Sequence, residues 1–424
     1  MKIAIVGTGI SGLTAARMLH PDHEITVFEA APRLGGHTHT VDVVVGDRVV
    51  PVDTGFIVYN ERTYPHFTRL LNDLGVATQA STMSFGVKCE RTGLEYNGTS
   101  LNGLFAQRRN LLRPRFYRMI RDILRFNEAG KAMVAAGEIP EDLTLGTYLA
   151  GEDYGEMFVD SYILPMGAAI WSAGRERMLA FPLRFFLRFF DNHGMLNIDD
   201  RPVWRVVRGG SRSYLDPLTA PFADRIRLSS PVHGILRTSD GVRLKVRNGP
   251  IEYFDEVVLA VHADQALRLL EDPSQDERRI LGALPYQENH VLLHTDTSIL
   301  PRRRLAWAAW NYHIPRDRQD RVAVTYNMNL LQGLDLPKTF CVTLNYGEAV
   351  DPFKVVTELT YHHPIFTLEG ERAKARFDSI SGRRHTHFCG AYWFNGFHED
   401  GVRSGLRVAE AIRATSERLA AVPV

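Results

Sequence analysis

The chain has 424 residues, of which 45% are hydrophobic and 23% are charged, and this composition is typical of a globular protein. Its length exceeds what a single hydrophobic core normally organises, so we expect two domains. The formal net charge of +1 argues against a nucleic-acid partner, and the sequence holds no run of roughly 18 apolar residues that predicts a transmembrane helix.

The three cysteines lie far apart, at Cys89, Cys341 and Cys389. They form neither a CxxC pair nor a cluster with metal-ligand spacing, so we expect reduced thiols and no metal centre. This pattern favours a cytoplasmic protein, and it leaves peripheral contact with the inner face of a membrane open.

The chain starts with an apolar run, residues 2–6, of the kind that forms a buried parallel strand, and three glycines follow at the G-x-G-x-x-G spacing. Gly7 permits a tight turn, Gly9 lets the backbone approach a pyrophosphate, and Gly12 lets the next helix pack closely on the strand. That helix is predicted to start near Ser11, with its unpaired N–H groups and positive dipole end facing the phosphates. The pattern predicts a dinucleotide site.

A second strand is predicted over residues 23–28, and Glu29 ends it at about the 20-residue separation expected of a ribose-binding acid. An acid at this position favours free ribose hydroxyls, and so FAD or NAD rather than NADP. Arg33, Gly35 and Gly36 follow: the glycine pair brings more backbone against a larger dinucleotide, and Arg33 can offset pyrophosphate charge. This continuation favours FAD over NAD.

Together these residues resemble the E-x-x-x-R-x-G-G-R segment of the flavin amine oxidase and phytoene desaturase superfamily, with His37 in place of the final arginine. The resemblance implies FAD as the cofactor and an α/β fold, in which a Rossmann-type FAD-binding domain carries a discontinuous α+β substrate domain. The expected boundaries are 1–62, 203–285 and 372–424 for the FAD-binding domain, and 63–202 and 286–371 for the substrate domain.

The next elements follow the order of the superfamily. Residues 38–45 and 48–52 predict a β-hairpin that leads to Thr54, Gly55 and Phe56, and the corresponding superfamily segment passes close to the flavin ring. An amphipathic helix is predicted over residues 64–75, because its apolar residues recur on one helical face.

Residues 108–125 are rich in arginine and predict a helix with two faces. One reading is a cationic amphipathic helix that lies on an anionic bilayer with its apolar residues among the acyl chains. The other is a substrate-domain helix that packs this apolar face inward and solvates its arginines. The apolar face comprises Leu112, Phe116, Ile120 and Ile123, and the opposite face Arg118, Arg121 and Arg125.

Two aromatic segments follow, residues 154–171, which we expect to be helical and broken at Pro165, and residues 181–190. So much aromatic surface lines either a core or an apolar cavity. Core packing is the default, and a cavity beside the flavin is the alternative because the flanking parts of the chain are expected to bind one.

At residue 204 the chain is expected to return to the FAD-binding domain. Strands are predicted over residues 226–232 and 254–260, with a hairpin over 235–246 between them. In the superfamily the residue that corresponds to Val232 lends its backbone to the adenine. Further strands predict an antiparallel sheet on which the helix-rich residues 64–202 pack, and these strands are expected over 290–295, 305–310, 322–326 and 340–344.

The last segment of the chain has the same order of features as the first, a buried strand, a glycine and the start of a helix. A buried strand over residues 386–391 ends in Gly390 and Ala391, and a helix is predicted to start near Gly401, with N–H dipoles that can face an electron-rich flavin edge. Phe397 stands where amine-oxidising members carry a cage tyrosine. The residues expected at the cofactor are Gly7, Gly9, Ile10, Ser11, Gly12, Glu29, Ala30, Arg33, Gly35, Gly36, His37, Thr54, Gly55, Phe56, Val232, Gly390, Ala391, Phe397, Gly401 and Val402.

Residues 361–364, 310–312 and 396–401 look like a bacterial subgroup of amine-oxidase-like flavoproteins associated with cyclopropane fatty acyl synthase-like enzymes, which includes a dehydrogenase proposed for furan fatty acid synthesis. This resemblance favours an FAD-dependent dehydrogenase, or desaturase, of a methylated unsaturated acyl chain in a membrane lipid, with hydride transfer to flavin N5. The candidate bases are His398, then Glu399, followed by His193 and His363, with His313 and His362 as further possibilities.

Two other functions stay open at this point. One is a flavin amine oxidase or an FAD-dependent double-bond isomerase. The other is a dinucleotide-binding partner without activity of its own in a lipid-modifying complex. The oligomeric state is not predicted by any of these patterns.

Overall fold

The computed structural model describes residues 1–197, 199–317 and 322–420. The strands, in chain order, are β1 (Lys2–Val6), β2 (Glu24–Phe28), β3 (Thr40–Val45), β4 (Arg48–Asp53), β5 (Tyr59–Asn60), β6 (Thr78–Ala80), β7 (Phe85–Cys89), β8 (Leu94–Asn97), β9 (Trp204–Val207), β10 (Ile226–Arg227), β11 (Val232–Arg237), β12 (Val242–Val246), β13 (Ile251–Phe254), β14 (Glu256–Leu259), β15 (Tyr286–His294), β16 (Trp310–Ile314), β17 (Ala323–Asn327), β18 (Cys341–Leu344), β19 (Val355–Pro364) and β20 (Thr386–Phe388).

The α-helices are α1 (Ile10–Leu19), α2 (Pro65–Asp73), α3 (Leu101–Leu104), α4 (Pro114–Ala136), α5 (Leu145–Gly151), α6 (Glu156–Phe158), α7 (Leu164–Trp171), α8 (Arg175–Leu179), α9 (Leu183–Asn192), α10 (Leu215–Thr219), α11 (Ala263–Leu269), α12 (Gln275–Gly282), α13 (Met328–Gln332), α14 (Leu368–Lys374) and α15 (His398–Ala420). Within the described ranges, none of these helices combines the length and the apolar content that crossing a bilayer needs.

Five parallel strands form a sheet in the order β10-β2-β1-β14-β20. Its centre is β1, where Ile5 pairs with Val27 on one side and Val258 on the other. The centres of these strands are apolar because both faces of the sheet are covered, one by α1 and α15 and the other by β11–β13 together with α11 and α12. Helix α15 packs closely on α1, and a Cβ atom at Gly405 would lie 2.5 Å from the carbonyl oxygen of Ser11. The expected α/β fold with a Rossmann-type sheet is confirmed.

A second sheet has seven strands in the order β19-β15-β18-β17-β16-β7-β8. The strands predicted near 290, 322 and 340 are present, but the one predicted over residues 305–310 is wrong. Arg304–Ala306 form a 3-10 turn, and β16 begins only at Trp310. There it pairs in parallel with Phe85 of β7, whereas the other neighbours in the sheet are antiparallel.

Two strands predicted as continuous are broken. Between residues 226 and 232, Ser229 has a positive φ of 50°, so β10 stays in the parallel sheet while β11 starts a separate sheet with β12 and β13. Between residues 254 and 260, the break falls at Asp255, whose carboxylate accepts a hydrogen bond from the backbone N–H of Lys2 at 2.6 Å. Short apolar periodicity does not reveal such changes of sheet.

The helical layer over the second sheet shares one large aromatic core. Phe116, Met119 and Phe126 of α4 are buried in it together with Phe186 and Phe190 of α9. Leu112 of the predicted apolar face lies before α4 and is 88% exposed, but Phe116, Ile120 and Ile123 pack inward, as the second reading of the arginine-rich segment predicts. These three side chains are not available to a bilayer.

The helix expected over residues 154–171 is interrupted before Pro165 rather than at it. A π-helical turn, Val159–Ile163, joins α6 to α7. Pro165 follows this turn directly as the second residue of α7, and the carbonyl oxygen of Ser161, four residues earlier, accepts a hydrogen bond from the Tyr96 hydroxyl at 2.7 Å instead. The segment thus keeps its apolar side chains in the core across the proline.

Candidate active site

A cavity of about 1120 Å³ reaches from the carboxyl ends of β1 and β14 to the aromatic helix α9. Small-molecule sites usually enclose roughly 300–1,000 Å³. This cavity is therefore large enough for a dinucleotide together with a second ligand. Its position follows the rule that open parallel sheets bind ligands at the carboxyl ends of their strands.

The three glycines of the first loop have the separate structural roles that their spacing predicts. Gly7 has a φ of +107°, which L side chains rarely adopt, and a Cβ atom at Gly12 would lie 2.1 Å from the carbonyl oxygen of Gly7. A Cβ atom at Gly9 would meet nothing within 4 Å, and Gly9 is the N-cap of α1. The open space beside Gly9 thus lies where a helix N-terminus offers its N–H groups to a pyrophosphate.

Glu29 lies half-buried at the same end of the cavity. Its carboxylate accepts hydrogen bonds from the backbone N–H groups of Thr8 at 3.1 Å and Ala31 at 2.8 Å, and from the Thr8 hydroxyl. These bonds fix the acid beside the glycine loop. Thr8 was not among the predicted residues, although its position inside the glycine motif is the signal that could have identified it.

Arg33 donates hydrogen bonds to the carbonyl oxygens of Leu34, Gly36 and Thr38 at 3.2, 2.9 and 3.3 Å. These bonds hold the second glycine turn against the first, where a Cβ atom at Gly36 would lie 3.3 Å from the Cα atom of Gly9. Among the described residues no carboxylate lies within 4.0 Å of this guanidinium. Its charge is left to balance a pyrophosphate.

His37 lines the cavity and places a buried Nε2 atom there without a hydrogen-bond partner in the described chain. Its ring lies 5.3 Å from that of Tyr361 and 5.6 Å from that of His363. Burial, with the Arg33 charge as a second cause, lowers the pKa of His37 to about 4, so the imidazole is neutral near pH 7. A bound dinucleotide fits here because its polar groups would satisfy Nε2.

His398 is the first residue of α15 and stacks on Phe56 with ring centres 3.6 Å apart. Its Nε2 lies 2.8 Å from the Tyr214 hydroxyl and 3.2 Å from the Thr38 hydroxyl. Burial lowers the pKa of His398 to about 3. Since Nε2 is engaged within the protein, the residue expected first as the base is better suited to holding the Phe56 ring in place.

The structure corrects the expectation for Glu399, which does not line the cavity. Its two carboxylate oxygens accept hydrogen bonds from the backbone N–H groups of His66 at 3.0 Å and Phe67 at 2.8 Å. These N–H groups lie in the first turn of α2, which leaves them without intrahelical partners. Glu399 therefore ties the start of α2 to the start of α15.

His193 lies at the other end of the cavity, directly after α9. Its Nδ1 lies 3.0 Å from the carbonyl oxygen of Phe189, and because a carbonyl can only accept, Nδ1 carries the proton. Its Nε2 consequently has a free electron pair. Burial lowers the pKa of His193 to about 4, which keeps the ring neutral near pH 7.

His363 carries its proton on the opposite nitrogen. Its Nδ1 accepts from the Asn289 amide at 3.3 Å and lies 2.8 Å from the Ser172 hydroxyl, so the proton is on Nε2. Burial lowers the pKa of His363 to about 3. His313 is buried outside the cavity with its Nε2 2.8 Å from the Thr325 hydroxyl. Neither His363 nor His313 therefore offers a base to the cavity. His362 lines the cavity and is partly exposed.

The end of the cavity near His193 is walled by aromatic rings. Phe397 stacks on Phe189 with ring centres 4.9 Å apart, and the indole nitrogen of Trp171 is buried without a partner in the described chain. The described lining residues include one carboxylate, Glu29, which lies at the far, glycine-rich end. The aromatic segments therefore do both things that were expected as alternatives. They pack in the core, and they also line a cavity.

Most residues expected at the cofactor line this one cavity. The exceptions are Gly12, which is covered by Gly7, and Val402, which is buried in the core beside α1. Helix α15 begins at His398, three residues before the predicted start at Gly401, where a Cβ atom would lie 2.5 Å from Ile10. His262 also lines the cavity and was missed, although it follows β14 at the carboxyl edge of the sheet.

Comparisons with known proteins agree with this geometry. The family model described as flavin containing amine oxidoreductase matches residues 10–328. Flavin-containing amine oxidase B of Bos taurus is 39% identical over 77 residues, which are 18% of this chain and 14% of that relative, so the match spans about a seventh of its length.

Solved structures match over nearly the whole chain. Putrescine oxidase, solved with putrescine, has a TM-score of 0.70 at 16% identity and covers 98% of this chain and 99% of its own. Cyclohexylamine oxidase from Brevibacterium oxydans has a TM-score of 0.70 at 17% identity, with 98% and 99% covered. A fatty acid isomerase from P. acnes that produces CLA has a TM-score of 0.70 at 16% identity, with 96% and 97% covered. At these identities the likeness establishes the fold alone.

Proposed function

The chain belongs to the family of flavin-containing amine oxidoreductases and uses FAD, and from this premise we propose that it dehydrogenates a hydrophobic substrate, a methylated unsaturated acyl chain of a membrane lipid. The acyl chain is chosen for the chemistry of the cavity. The methyl branch and the double bond are chosen for the resemblance of residues 361–364 and 310–312 to the bacterial subgroup described above.

The observation that carries the proposal is the composition of the cavity at its His193 end. The walls are aromatic and aliphatic, with Phe189, Phe190 and Phe397 among them, and the described lining offers no carboxylate there. A protonated amine would leave water without a counter-charge, which is costly in such a site. An uncharged acyl chain does not have this desolvation cost, and burial of its methylene groups favours binding.

The reaction removes two hydrogens from neighbouring carbons. Bound FAD supplies the acceptor for the hydride. The remaining proton leaves from the carbon next to the electron-deficient centre, and the electron pair of that C–H bond becomes the new double bond. Such a proton is acidic, so a weak base is sufficient.

His193 is the base that the geometry favours. Its Nδ1 proton is held by the Phe189 carbonyl, so its Nε2 electron pair is available in the cavity. Its low pKa keeps this nitrogen unprotonated near pH 7. By contrast, Nδ1 of His363 accepts from Asn289, and Nε2 of His398 is engaged by the Tyr214 and Thr38 hydroxyls, although both residues line the cavity.

Arg201 is placed to bind an anionic group at one end of the substrate. It lines the cavity and is exposed, so it marks an opening of the cavity to solvent. Its Nε donates to the carbonyl oxygen of Asn197 at 3.0 Å, and no carboxylate in the described chain pairs with it. A carboxylate or phosphate at the head of a lipid would receive the remaining guanidinium donors.

Two rival functions share much of this site. The aromatic pair of Phe397 and Phe189 could hold an ammonium group by cation–π attraction, which favours an amine oxidase. The same apolar cavity would accept an unsaturated chain for double-bond isomerisation, the reaction named for one structural relative. A partner without activity would bind FAD and leave every such ligand unchanged.

The test is anaerobic mixing of the purified holoenzyme with phospholipids that bear methylated unsaturated chains, and separately with polyamines. We expect lipid alone to bleach the flavin spectrum and to lose two hydrogens by mass spectrometry. Bleaching by polyamines but not by lipid would contradict the proposal and favour the amine oxidase. A lipid product of unchanged mass with a shifted double bond would favour the isomerase. If no ligand bleaches the flavin and no ligand is chemically changed, the inactive partner is favoured.

A further inference from the structure

An exposed patch of leucines and arginines is formed by two segments that are distant in sequence. Leu101, Leu111, Leu112 and Leu305 are 77%, 46%, 88% and 53% exposed, and Tyr117 is 47% exposed. Single exposed apolar side chains are ordinary on a protein surface, but a group of them mixed with uncompensated charge indicates an interaction site. We call this group, with the neighbouring arginines, the Arg–Leu patch; its cationic members are Arg108, Arg109, Arg113, Arg115, Arg302, Arg303 and Arg304.

Hydrogen bonds hold the segment 302–305 against β8, the strand that leads into α3 and the segment 101–117. The buried carboxylate of Glu95 accepts from the backbone N–H groups of Arg302 at 3.0 Å and Arg303 at 3.1 Å. The Asn97 side chain donates to the Trp307 carbonyl at 2.7 Å. Helix α3 packs on the same loop, since a Cβ atom at Gly103 would lie 3.3 Å from the Leu305 carbonyl oxygen. The patch is therefore a fixed surface rather than two independent loops.

The positive charge of the patch is not balanced within the protein. None of its seven guanidinium groups lies within 4.0 Å of a carboxylate among residues 1–197, 199–317 and 322–420, since Glu95 meets only the backbone N–H groups of Arg302 and Arg303. Arg108 and Arg109 instead donate to the carbonyl oxygens of Phe105 at 2.9 Å and Gly93 at 2.7 Å. Further along α4 the situation differs, because Arg118 pairs with Asp122 and Asp153.

We propose that the Arg–Leu patch docks the protein onto an anionic phospholipid bilayer. The leucines would enter the acyl region at the headgroup boundary, while the arginines keep their guanidinium groups at the phosphates. Beyond its first turn, helix α4 stays out of the bilayer, because Met119 and Phe126 are buried in the core. Contact is made by residues 101–117 and 302–305 at one edge of the protein, and this does not depend on which substrate the cavity takes.

The exposed leucines favour a bilayer over a nucleic acid as the partner. Arginines alone suit both polyanions, but a phosphodiester backbone offers no apolar region for Leu101 and Leu112. In a bilayer the phosphate layer and the acyl layer lie within one side-chain length of each other. Both classes of exposed side chain then contribute to binding.

The test is flotation of the holoenzyme with vesicles of phosphatidylcholine alone and of phosphatidylcholine with phosphatidylglycerol. We expect partition onto the anionic vesicles that weakens as salt rises. The double variant Arg115→Ala/Arg303→Ala should reduce this partition about 30-fold, and Leu112→Glu at least about tenfold. The flavin spectrum of each variant verifies that it is folded.

Matched control variants change exposed arginines and an exposed apolar side chain elsewhere on the surface. Arg69→Ala/Arg278→Ala removes two exposed arginines, and Phe353→Glu changes a side chain that is 97% exposed. We expect these controls to partition like the unmodified protein. Equal losses in controls and patch variants would overturn the proposal, as would binding that ignores lipid charge or a preference for a DNA duplex over the vesicles. Since flotation does not measure turnover, failure here leaves the proposed reaction unaffected, and the reverse also holds.

Discussion

His193 and Phe189 lie one helical turn apart at the end of α9, and the imidazole is stacked on the phenyl ring with centres 3.9 Å apart. The carbonyl oxygen of Phe189 accepts the Nδ1 proton of the same histidine at 3.0 Å. One residue thus fixes both the plane and the tautomer of the other. The proposed proton transfer depends on this arrangement, because it leaves Nε2 as the free nitrogen in the cavity.

Replacement of the proposed base should slow the reaction without removing the cofactor. His193→Gln keeps a polar side chain of similar length but cannot take a proton, so we expect flavin reduction by lipid to slow about 100-fold or more. Stopped-flow absorbance under anaerobic conditions measures this rate. His66→Gln, at an exposed histidine outside the cavity, serves as the control. A His193→Gln enzyme with an unchanged rate would exclude His193 as the base.

The pH profile of the same rate should reflect the low pKa of His193. Protonation removes the Nε2 electron pair, so the rate falls only as pH drops through about 4, the pKa that burial imposes. Between pH 5 and pH 8 we expect a flat profile in single-turnover reduction. An ordinary histidine would already lose half its basic form at about pH 6.5, and a midpoint there would contradict the role given to this residue.

Glu399 should matter for stability and not for the chemical step. Glu399→Gln weakens the acceptors for the N–H groups of His66 and Phe67, so the free energy of unfolding should fall by about 1–3 kcal/mol. Urea denaturation measures this change. Glu410→Gln, an exposed site on the same helix α15, is the matched control. If Glu399→Gln instead leaves stability intact and slows flavin reduction, the original expectation of a catalytic base is correct.

Asp400 should make the protein less stable as pH rises. Burial is the largest cause that raises its pKa to about 7, against hydrogen bonds from the N–H groups of Phe397 at 2.9 Å and Asn395 at 3.2 Å. From about pH 4 to 7 the folded state binds the extra proton, so stability declines with pH by on the order of 4 kcal/mol at this site.

The Asp400→Asn variant isolates that contribution. It keeps an oxygen to accept both N–H groups and cannot ionise, so its unfolding free energy should change less between pH 5 and pH 8 than that of the unmodified protein. At pH 8 the variant should be the more stable of the two. Parallel pH profiles for both proteins would show that the Asp400 carboxyl does not titrate in this range.

How far the sequence predicts the structure depends on how local each contact is. The first 36 residues were predictable because strand, glycine turn, helix and acid are neighbours in sequence and set one another's geometry. The parallel pairing of Trp310 with Phe85 was not, because it joins two distant segments and leaves no local periodicity. The strand predicted over residues 305–310 was misplaced for that reason.

The candidate site shows the same limit at the level of single side chains. His398 and Glu399 are adjacent in sequence, and both were expected at the flavin. Since α15 begins at His398, successive side chains point about 100° apart around the helix axis. His398 therefore reaches the cavity while Glu399 turns to α2, and only the exact start of the helix decides which of the two does so. The tautomers of His193 and His363 likewise depend on partners that the sequence does not identify.

Two glycines of the first loop should separate cofactor binding from folding. A Cβ atom at Gly9 would meet no protein atom within 4 Å, and its φ of −63° suits alanine. Gly9→Ala should therefore leave the stability of the FAD-free protein unchanged, while its methyl group occupies the space for the pyrophosphate. Loss of charge-assisted hydrogen bonds there should raise the Kd for FAD about 10- to 100-fold.

Gly12→Ala should do the opposite, because its Cβ atom would lie 2.1 Å from the carbonyl oxygen of Gly7 and 2.9 Å from the side chain of Ala260. Helix α1 must then move off the sheet, at a cost of roughly 1–3 kcal/mol or more to the FAD-free protein. Urea denaturation of both apoproteins and FAD titration by fluorescence quenching measure the two effects. If Gly9→Ala destabilises the apoprotein as much as Gly12→Ala does, the open space beside Gly9 is not where the pyrophosphate binds, because a purely structural glycine would explain both results.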